Sequence, residues 1–527
     1  DMNGGNSQGL GVPAYTLKFV ISILTIVWTL CYLFHFNDGD DVFYSLIFST
    51  ADGIGQGSTC QVWEWPGFAA KHWVLNNGRS PNYLWSVGIL GLLPHVVAKM
   101  ICGAFWGLLL VMLLKTMGLI KCVSLLKPVI VITMYCLLMP WYCEGFQVAV
   151  WASYVLNSFI VICCIWILNH QHKTNITSFW PLLLGLLAGS GHEAASVPLL
   201  ISYLALKLVG KTSYPGSTLV NNRIVSKLKL GFVIGTVLVT FSPGILRRFL
   251  TVNSQNSTIQ NPEFWDILFT TLPIFAILIL VISIMFLSVN GRLFLQRLRQ
   301  TDFYFWALAA VLSSAFTWVS HLLGNSGWYS QLFSLIAIGI MLDLSKWRLP
   351  KFVDLVLALT VSVMLIAHSA FVASAQWRAY LTNRTIAGEY MKNGDELVFV
   401  DYPNLDLSNP LLLGRIHLPV NTYIYNSTGF AHYFGCRDGK EYFAVLPTQY
   451  RELVNDLTPE MSCEHGGLGV GLPGGPYVSL ERPDDAEEKV MWPKHVYWET
   501  KRREGSYSSI PVKYDNQTIW VNQIIKD

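Results

Sequence analysis

The sequence predicts an α-helical polytopic membrane protein, with about eleven transmembrane helices in residues 1–373 and a mixed α/β or mostly β soluble domain in residues 374–527. Three observations predict it. Hydrophobic residues make up 52%, charged residues only 13%, and mean hydropathy is +0.42, whereas about a quarter of a soluble globular chain is charged. Apolar runs of membrane-crossing length recur along the first two thirds. Charge is also unevenly spread, because residues 374–527 hold 35 of the 69 Lys, Arg, Asp and Glu residues.

The first span covers 17–36, an apolar run as long as a hydrocarbon core requires. No A-x-A cleavage site follows it, so it is expected to remain as an anchor. Further runs lie at 100–118, 125–140, 147–168, 264–289, 303–320, 329–343 and 352–373, with a shorter one at 230–243. Residues 179–208 are too long for one upright helix at 1.5 Å per residue. Their middle reads Gly189-Ser190-Gly191-His192-Glu193, which predicts two short helices meeting at a polar turn. The tail carries β-type runs such as 396–400 and 423–425 between Pro, Gly and Asn turns.

Lys and Arg collect in alternate loops, as cytoplasmic loops require. With the amino terminus inside, the inner loops hold Lys115/Lys121/Lys127, Lys173, Lys207/Lys211/Arg223/Lys227/Lys229, Arg292/Arg297/Arg299 and Lys346/Arg348/Lys351. Splitting 179–208 keeps these on one side and leaves the tail outside. In the tail Cys436 and Cys463 could pair, as could Cys60 and Cys143 in outer loops. No repeat, low-complexity tract or nucleic-acid-type basic patch is present, so no nucleic-acid partner is expected.

The longest outer loop of the membrane part is the first, about 37–99, and Asp38, Asp40 and Asp41 stand at its start. Carboxylates cannot sit in hydrocarbon, so these lie where the first span meets water or a polar cavity. Adjacent carboxylates repel, so either Asp40 or Asp41 can have its proton affinity raised and act as a general base. The loop also carries Trp63, Glu64, Trp65, His72, Asn77, Arg79, Asn82 and Lys99. Its aromatic density argues for order, and 84–97 reads as an interfacial helix. Later outer segments add Glu144, His192, Glu193, Arg247, Arg248, His321 and Asn325. Each has an ordinary structural alternative: a span terminator for the aspartates, a helix cap for His192 and Glu193, an aromatic belt for the tryptophans. Together they suggest one polar cavity, with guanidinium groups suited to phosphate.

Walker A, G-x-S-x-G and H-E-x-x-H patterns are absent, which leaves ATP-driven transport, serine hydrolysis and zinc proteolysis without support. Groups facing outward cannot reach cytoplasmic nucleotide donors. An activated substrate carried on a lipid fits.

With Asp40-Asp41-Val42-Phe43-Tyr44 after the first span, Asn77-Gly78-Arg79 in the same loop and the run 184–193, the chain resembles the GT-C class of multispanning glycosyltransferases. Among these it is similar to the bacterial and phage type that decorates surface polysaccharide such as O-antigen. Many members have Thr-Lys where this chain has His192-Glu193. The resemblance implies a bacterial inner-membrane enzyme with an extracytoplasmic tail, a polyprenyl-phosphate sugar donor, a cell-surface glycan acceptor and inverting transfer. It further implies that Asp40 or Asp41 deprotonates the acceptor, while Arg247, Arg248, Arg79 and Lys99 hold the departing phosphate. Glu64, Trp63, Trp65, Asn77, His192, Glu193 and His321 become candidates for substrate contact. No cofactor is required, although an acidic pair is able to hold a divalent metal. The rivals are a lipid-linked glycan polymerase or ligase, expected to carry its long loop late in the chain, and a lipid-linked sugar flippase, expected to show mid-span charges and a repeat.

Overall fold

The computed structural model describes residues 11–35, 41, 44–45, 62–75, 78–141, 146–170, 179–209, 223–246, 273–287, 296–319, 327–345, 349–393, 397–400, 409–413, 415, 425–426, 442–447, 477–479, 507–514 and 517–524. The chain divides into two compact units. One gathers the described residues of Asp1–Leu33, Val62–Ala373 and Pro410–Arg415; the other gathers those of Phe34–Gln61, Ser374–Asn409 and Ile416–Asp527.

The first unit is a bundle of apolar helices: α1 (Gly11–Phe34), α2 (Trp65–Leu75), α3 (Ser80–Leu92), α4 (His95–Thr116) and α5 (Leu126–Leu137). Next comes α6, made of Val148–Trp151, a π-turn at Ala152–Leu156 and Asn157–His170. Then follow α7 (Trp180–Ser190), α8 (Glu193–Leu208), α9 (Arg223–Thr240), α10 (Pro273–Leu287), α11 (Phe303–Val319), α12 (Trp328–Leu344) and the 43-residue α13 (Lys351–Asn393), of which the part up to Ala373 belongs to this unit. Among the described residues, five helices are long and apolar enough to cross a membrane: 15–34, 95–116, 148–169, 223–246 and 351–382. A sixth arises if α7 and α8, bent by 112°, count as one broken span. The protein is a helical membrane protein.

Three boundaries differ from expectation. An interfacial helix over 84–97 is not found; α3 stops at Leu92 and α4 starts at His95. Pro94 is the reason, since it forces Leu93 into an extended conformation at φ −111°, ψ 149°. The short span at 230–243 is longer, because Arg223, Lys227 and Lys229 lie on the helix itself, where their aliphatic stems can lie along apolar surface. The last span does not stop near 373, and α13 runs twenty residues further to Asn393.

Small residues set the closest helix contacts. A Cβ at Gly189 would stand 2.9 Å from Thr236 N, and one at Gly235 would stand 2.8 Å from Ser190 N. Gly185 and Gly231 face the opposite backbone in the same way, against Leu228 and Leu182. Two glycines spaced by four on α7 thus oppose two spaced by four on α9, and this lets the backbones touch where lipid offers no hydrophobic drive for association. On α4, Gly103 and Gly107 receive Thr29 and Thr25 of α1 in the same manner; both hydroxyls bond back to their own helix, at Thr25 O and Ile21 O.

The interior beside this seam is aromatic. Trp28 stacks on Trp106 at 4.7 Å and lies 4.7 Å from Trp141, which meets Trp328 edge-on at 4.6 Å. Arg415 is buried here, with its guanidinium 5.2 Å from the Trp28 ring and donating to Cys136 O. At the other end of the bundle Asp354 caps α5, accepting from Leu125 N at 2.8 Å and Ser124 Oγ at 2.5 Å.

In the second unit, Asp41 is buried and Ser45 Oγ donates to its carbonyl at 2.5 Å. Two three-stranded sheets are described there. In one, β3 (Tyr442–Pro447) runs parallel to β1 (Leu397–Val400), Leu397 opposite Ala444, and antiparallel to β2 (Tyr425–Asn426). In the other, β6 (Gln517–Ile524) lies antiparallel between β4 (Tyr477–Ser479) and β5 (Tyr507–Tyr514), with Tyr514 opposite Gln517. Cys60, Cys143, Cys436 and Cys463 lie outside the described residues.

Candidate functional site

The polar turn between α7 and α8 is where the first unit concentrates its buried polar side chains. Gly191 is required there, since a Cβ would strike Asn157 Oδ1. His192 takes an extended conformation (φ −157°, ψ 126°) and caps α8, its Nδ1 accepting the Ala194 N–H at 3.2 Å. That bond makes Nδ1 an acceptor, so the imidazole is neutral with its proton on Nε2. Pro198 sits inside α8 and deprives the carbonyl four residues earlier of its donor. That carbonyl belongs to Ala194, and Ser313 Oγ of α11 donates to it at 3.0 Å. The freed carbonyl is therefore satisfied by a neighbouring helix, as hydrocarbon surroundings demand.

Glu193 opens α8 and meets Arg79, the residue preceding α3. The guanidinium grips the carboxylate twice, Nε to Oε2 at 2.9 Å and Nη2 to Oε1. Both side chains are largely withdrawn from solvent, at 18% and 7% exposure. Burial works against the charge on Arg79, but the Glu193 carboxylate outweighs it and holds the guanidinium pKa above its ordinary value. The segment carrying Arg79 is fixed from both sides: a Cβ at Gly78 would strike Ser242 and Val239 beyond and on α9, and Asn82 Nδ2 of α3 donates to Gly191 O at 2.5 Å.

Opposite the turn stands the π-turn of α6. Its wider i→i+5 geometry presents Tyr154, whose ring lies 5.3 Å from His192, while Tyr329 of α12 lies 5.0 Å from it. Tyr329 Oη donates to Ser153 O at 2.6 Å and accepts from Asn157 Nδ2 at 2.7 Å. His192 Nε2 and Asn157 Oδ1 are buried with no hydrogen-bond partner among the described residues.

Of the residues singled out from sequence, Arg79, His192, Glu193 and Asn82 converge here. Lys99 is buried on α4. Trp63 and Glu64 are exposed on a short 3-10 turn, with Trp63 78% exposed. Trp65 starts α2 and covers Gly88 of α3. His72 stacks on Tyr83 at 4.1 Å. Asp41 is buried in the other unit. Asp40, Asn77, Glu144, Arg247, Arg248, His321 and Asn325 lie outside the described residues.

Asn157, Tyr154 and Tyr329 were not among the expected site residues. A usable signal existed for Asn157, an amide in the middle of the apolar run 147–168, because a polar side chain in a span turns toward the bundle interior. Among the described residues no group of three His, Cys, Asp or Glu is arranged to hold a metal ion. Comparison with family models, with curated proteins and with solved structures gives no match.

Proposed function

We propose that this membrane protein is an inverting glycosyltransferase of the GT-C kind, moving a sugar from a polyprenyl-phosphate carrier to a hydroxyl of a cell-surface glycan. The observation that carries the reading is the pairing of Arg79, from the long first loop, with Glu193 at the bend of a broken span. It ties that loop to one fixed polar locus in an apolar bundle, the organisation of an active site serving a lipid-borne substrate rather than of a charge-lined path through several spans. Counting α7 and α8 separately and adding the shorter apolar helices 126–137, 273–283, 303–317 and 328–344 is compatible with eleven crossings. That topology puts the amino terminus in the cytoplasm and residues 374–527 outside a bacterial inner membrane, as the loop charges favour.

In this mechanism the carboxylate of Asp40 or Asp41 removes the proton of the acceptor hydroxyl. The hydroxyl oxygen attacks the anomeric carbon, the bond to the polyprenyl phosphate breaks, and Arg247, Arg248, Arg79 and Lys99 stabilise the charge gathering on the leaving phosphate.

Purified protein supplied with radiolabelled polyprenyl-phosphate hexoses and a surface-glycan acceptor tests this. Label should reach the glycan, and Asp40→Asn or Asp41→Asn should reduce transfer by roughly 10²–10⁴-fold, as loss of a general base does. Undiminished transfer in both variants removes the assigned base. Failure with every lipid donor, combined with movement of lipid-linked sugar across vesicles, would identify a transporter instead.

A further inference from the structure

A two-pronged guanidinium–carboxylate pair withdrawn from water invites the question of what it is for. Desolvating two ions consumes most of what their attraction returns, so such a pair adds little net stability compared with apolar side chains of the same size. The planar fork that Arg79 offers Glu193 through Nε and Nη2 is equally the shape that receives two oxygens of a phosphate. Glu193 also stands in the first turn of the 16-residue α8, where the helix field favours an anion. The adjacent His192 supplies an independent sign that a group is to be received at this locus. It is fully buried, its Nδ1 is engaged by Ala194 N–H, and its remaining N–H has no partner among the described residues.

We infer that Glu193 is an internal stand-in for a phosphate: its carboxylate occupies the anion seat on Arg79, and a phosphorylated lipid headgroup takes that seat by displacing it. No covalent step is involved. The exchange is one anion for another on a fixed cation, with the departing carboxylate left beside the α8 amino terminus. The lipid source of the phosphate rests on the proposed donor, but the exchange itself is measured without sugar transfer, so either idea can fail alone.

The experiment uses the full chain in detergent and titrates it with phosphatidic acid, with phosphatidylcholine as the uncharged comparison and inorganic phosphate as the headgroup alone. Glu193→Gln removes the competing charge at almost constant shape, and it should tighten phosphatidic acid binding by roughly 5- to 150-fold, the usual span of coupling between linked ligands. Glu193→Asp keeps the charge but shortens the reach, and should tighten binding less. Arg79→Gln should abolish the phosphate-dependent part in either background. Tightening toward inorganic phosphate as well assigns the seat to the phosphate group; tightening toward phosphatidic acid alone assigns it to the lipid. Unchanged affinity in folded Glu193→Gln and Glu193→Asp proteins, or equal affinity for phosphatidylcholine, overturns the inference. Should Glu193→Gln fail to fold, the Glu193→Asp titration decides by the same criterion.

Discussion

Replacing Gly189 and Gly235 by alanine, singly and together, tests whether α7 and α9 are held by backbone contact. At each position the added methyl would meet backbone atoms within 3.0 Å, Thr236 N and Phe232 C for Gly189, Ser190 N and Gly189 C for Gly235. Backbone cannot rotate away as a side-chain tip can, so the helices must part by about an ångström, an overpacking cost of about 1–3 kcal/mol. Alanine returns about 1 kcal/mol through its better helix propensity. Each single variant should therefore lose between about 0 and 2 kcal/mol, again estimated from overpacking less propensity. The two methyls face one another across one seam, and a single separation relieves both. The double variant should consequently lose less than the sum, by at least about 0.5 kcal/mol. Denaturant titration of the protein in mixed micelles, followed by tryptophan fluorescence, reads these differences. Gly67→Ala is the control, since nothing lies within 4 Å of its added carbon, and it should be neutral or slightly stabilising. Single variants stabilised by the full propensity gain of about 1 kcal/mol, or strict additivity in the double, would refute the close-contact argument.

Two further substitutions probe the supports of the candidate site and of the opposite end of the bundle. Asn82→Ala removes the donor to Gly191 O and strands a buried carbonyl at the turn; a loss of about 1–3 kcal/mol in the same titration is expected, with sugar transfer falling alongside it. Asp354→Ala removes the cap on Leu125 N and Ser124 Oγ and should cost about 1–2 kcal/mol, whereas Asp354→Asn, which retains an acceptor oxygen, should recover most of it; equal losses would show that charge rather than capping matters there.

Much of the helical architecture was legible because apolar length is a local property. The turn at 189–193 was legible for the same reason: two glycines and two polar side chains have no place inside a continuous span. The glycine seam was also written in plain spacing, 185/189 and 231/235, although nothing in the chain says which spaced pair meets which. The partner of Glu193 was not legible, since Arg79 lies 114 positions away and any cation on the same side would have served. The π-turn left no readable mark, because 148–170 follows an ordinary apolar pattern and its widened step is imposed by the packing of Tyr154 and Asn157 against α8 and α12. Pro94 is a breaker by residue type, but the apolar content on both sides of it makes 84–97 look continuous. The roles of Asp40, Arg247 and Arg248 rest on residue type and order along the chain, and those positions lie outside the described residues.

The π-turn at Ala152–Leu156 amounts to one surplus residue within a helical cylinder, and each residue advances the azimuth by about 100°. The two halves of α6 are consequently out of phase, and that offset points Tyr154 and Asn157 toward the same neighbours. Removing one residue from that stretch would let the widened turn close into ordinary α-helix, preserving the hydropathy profile and both flanking halves while withdrawing the step that carries Tyr154 and Asn157 to the site. Length variation, ordinarily harmless in loops, would here be as disabling as the loss of a key side chain.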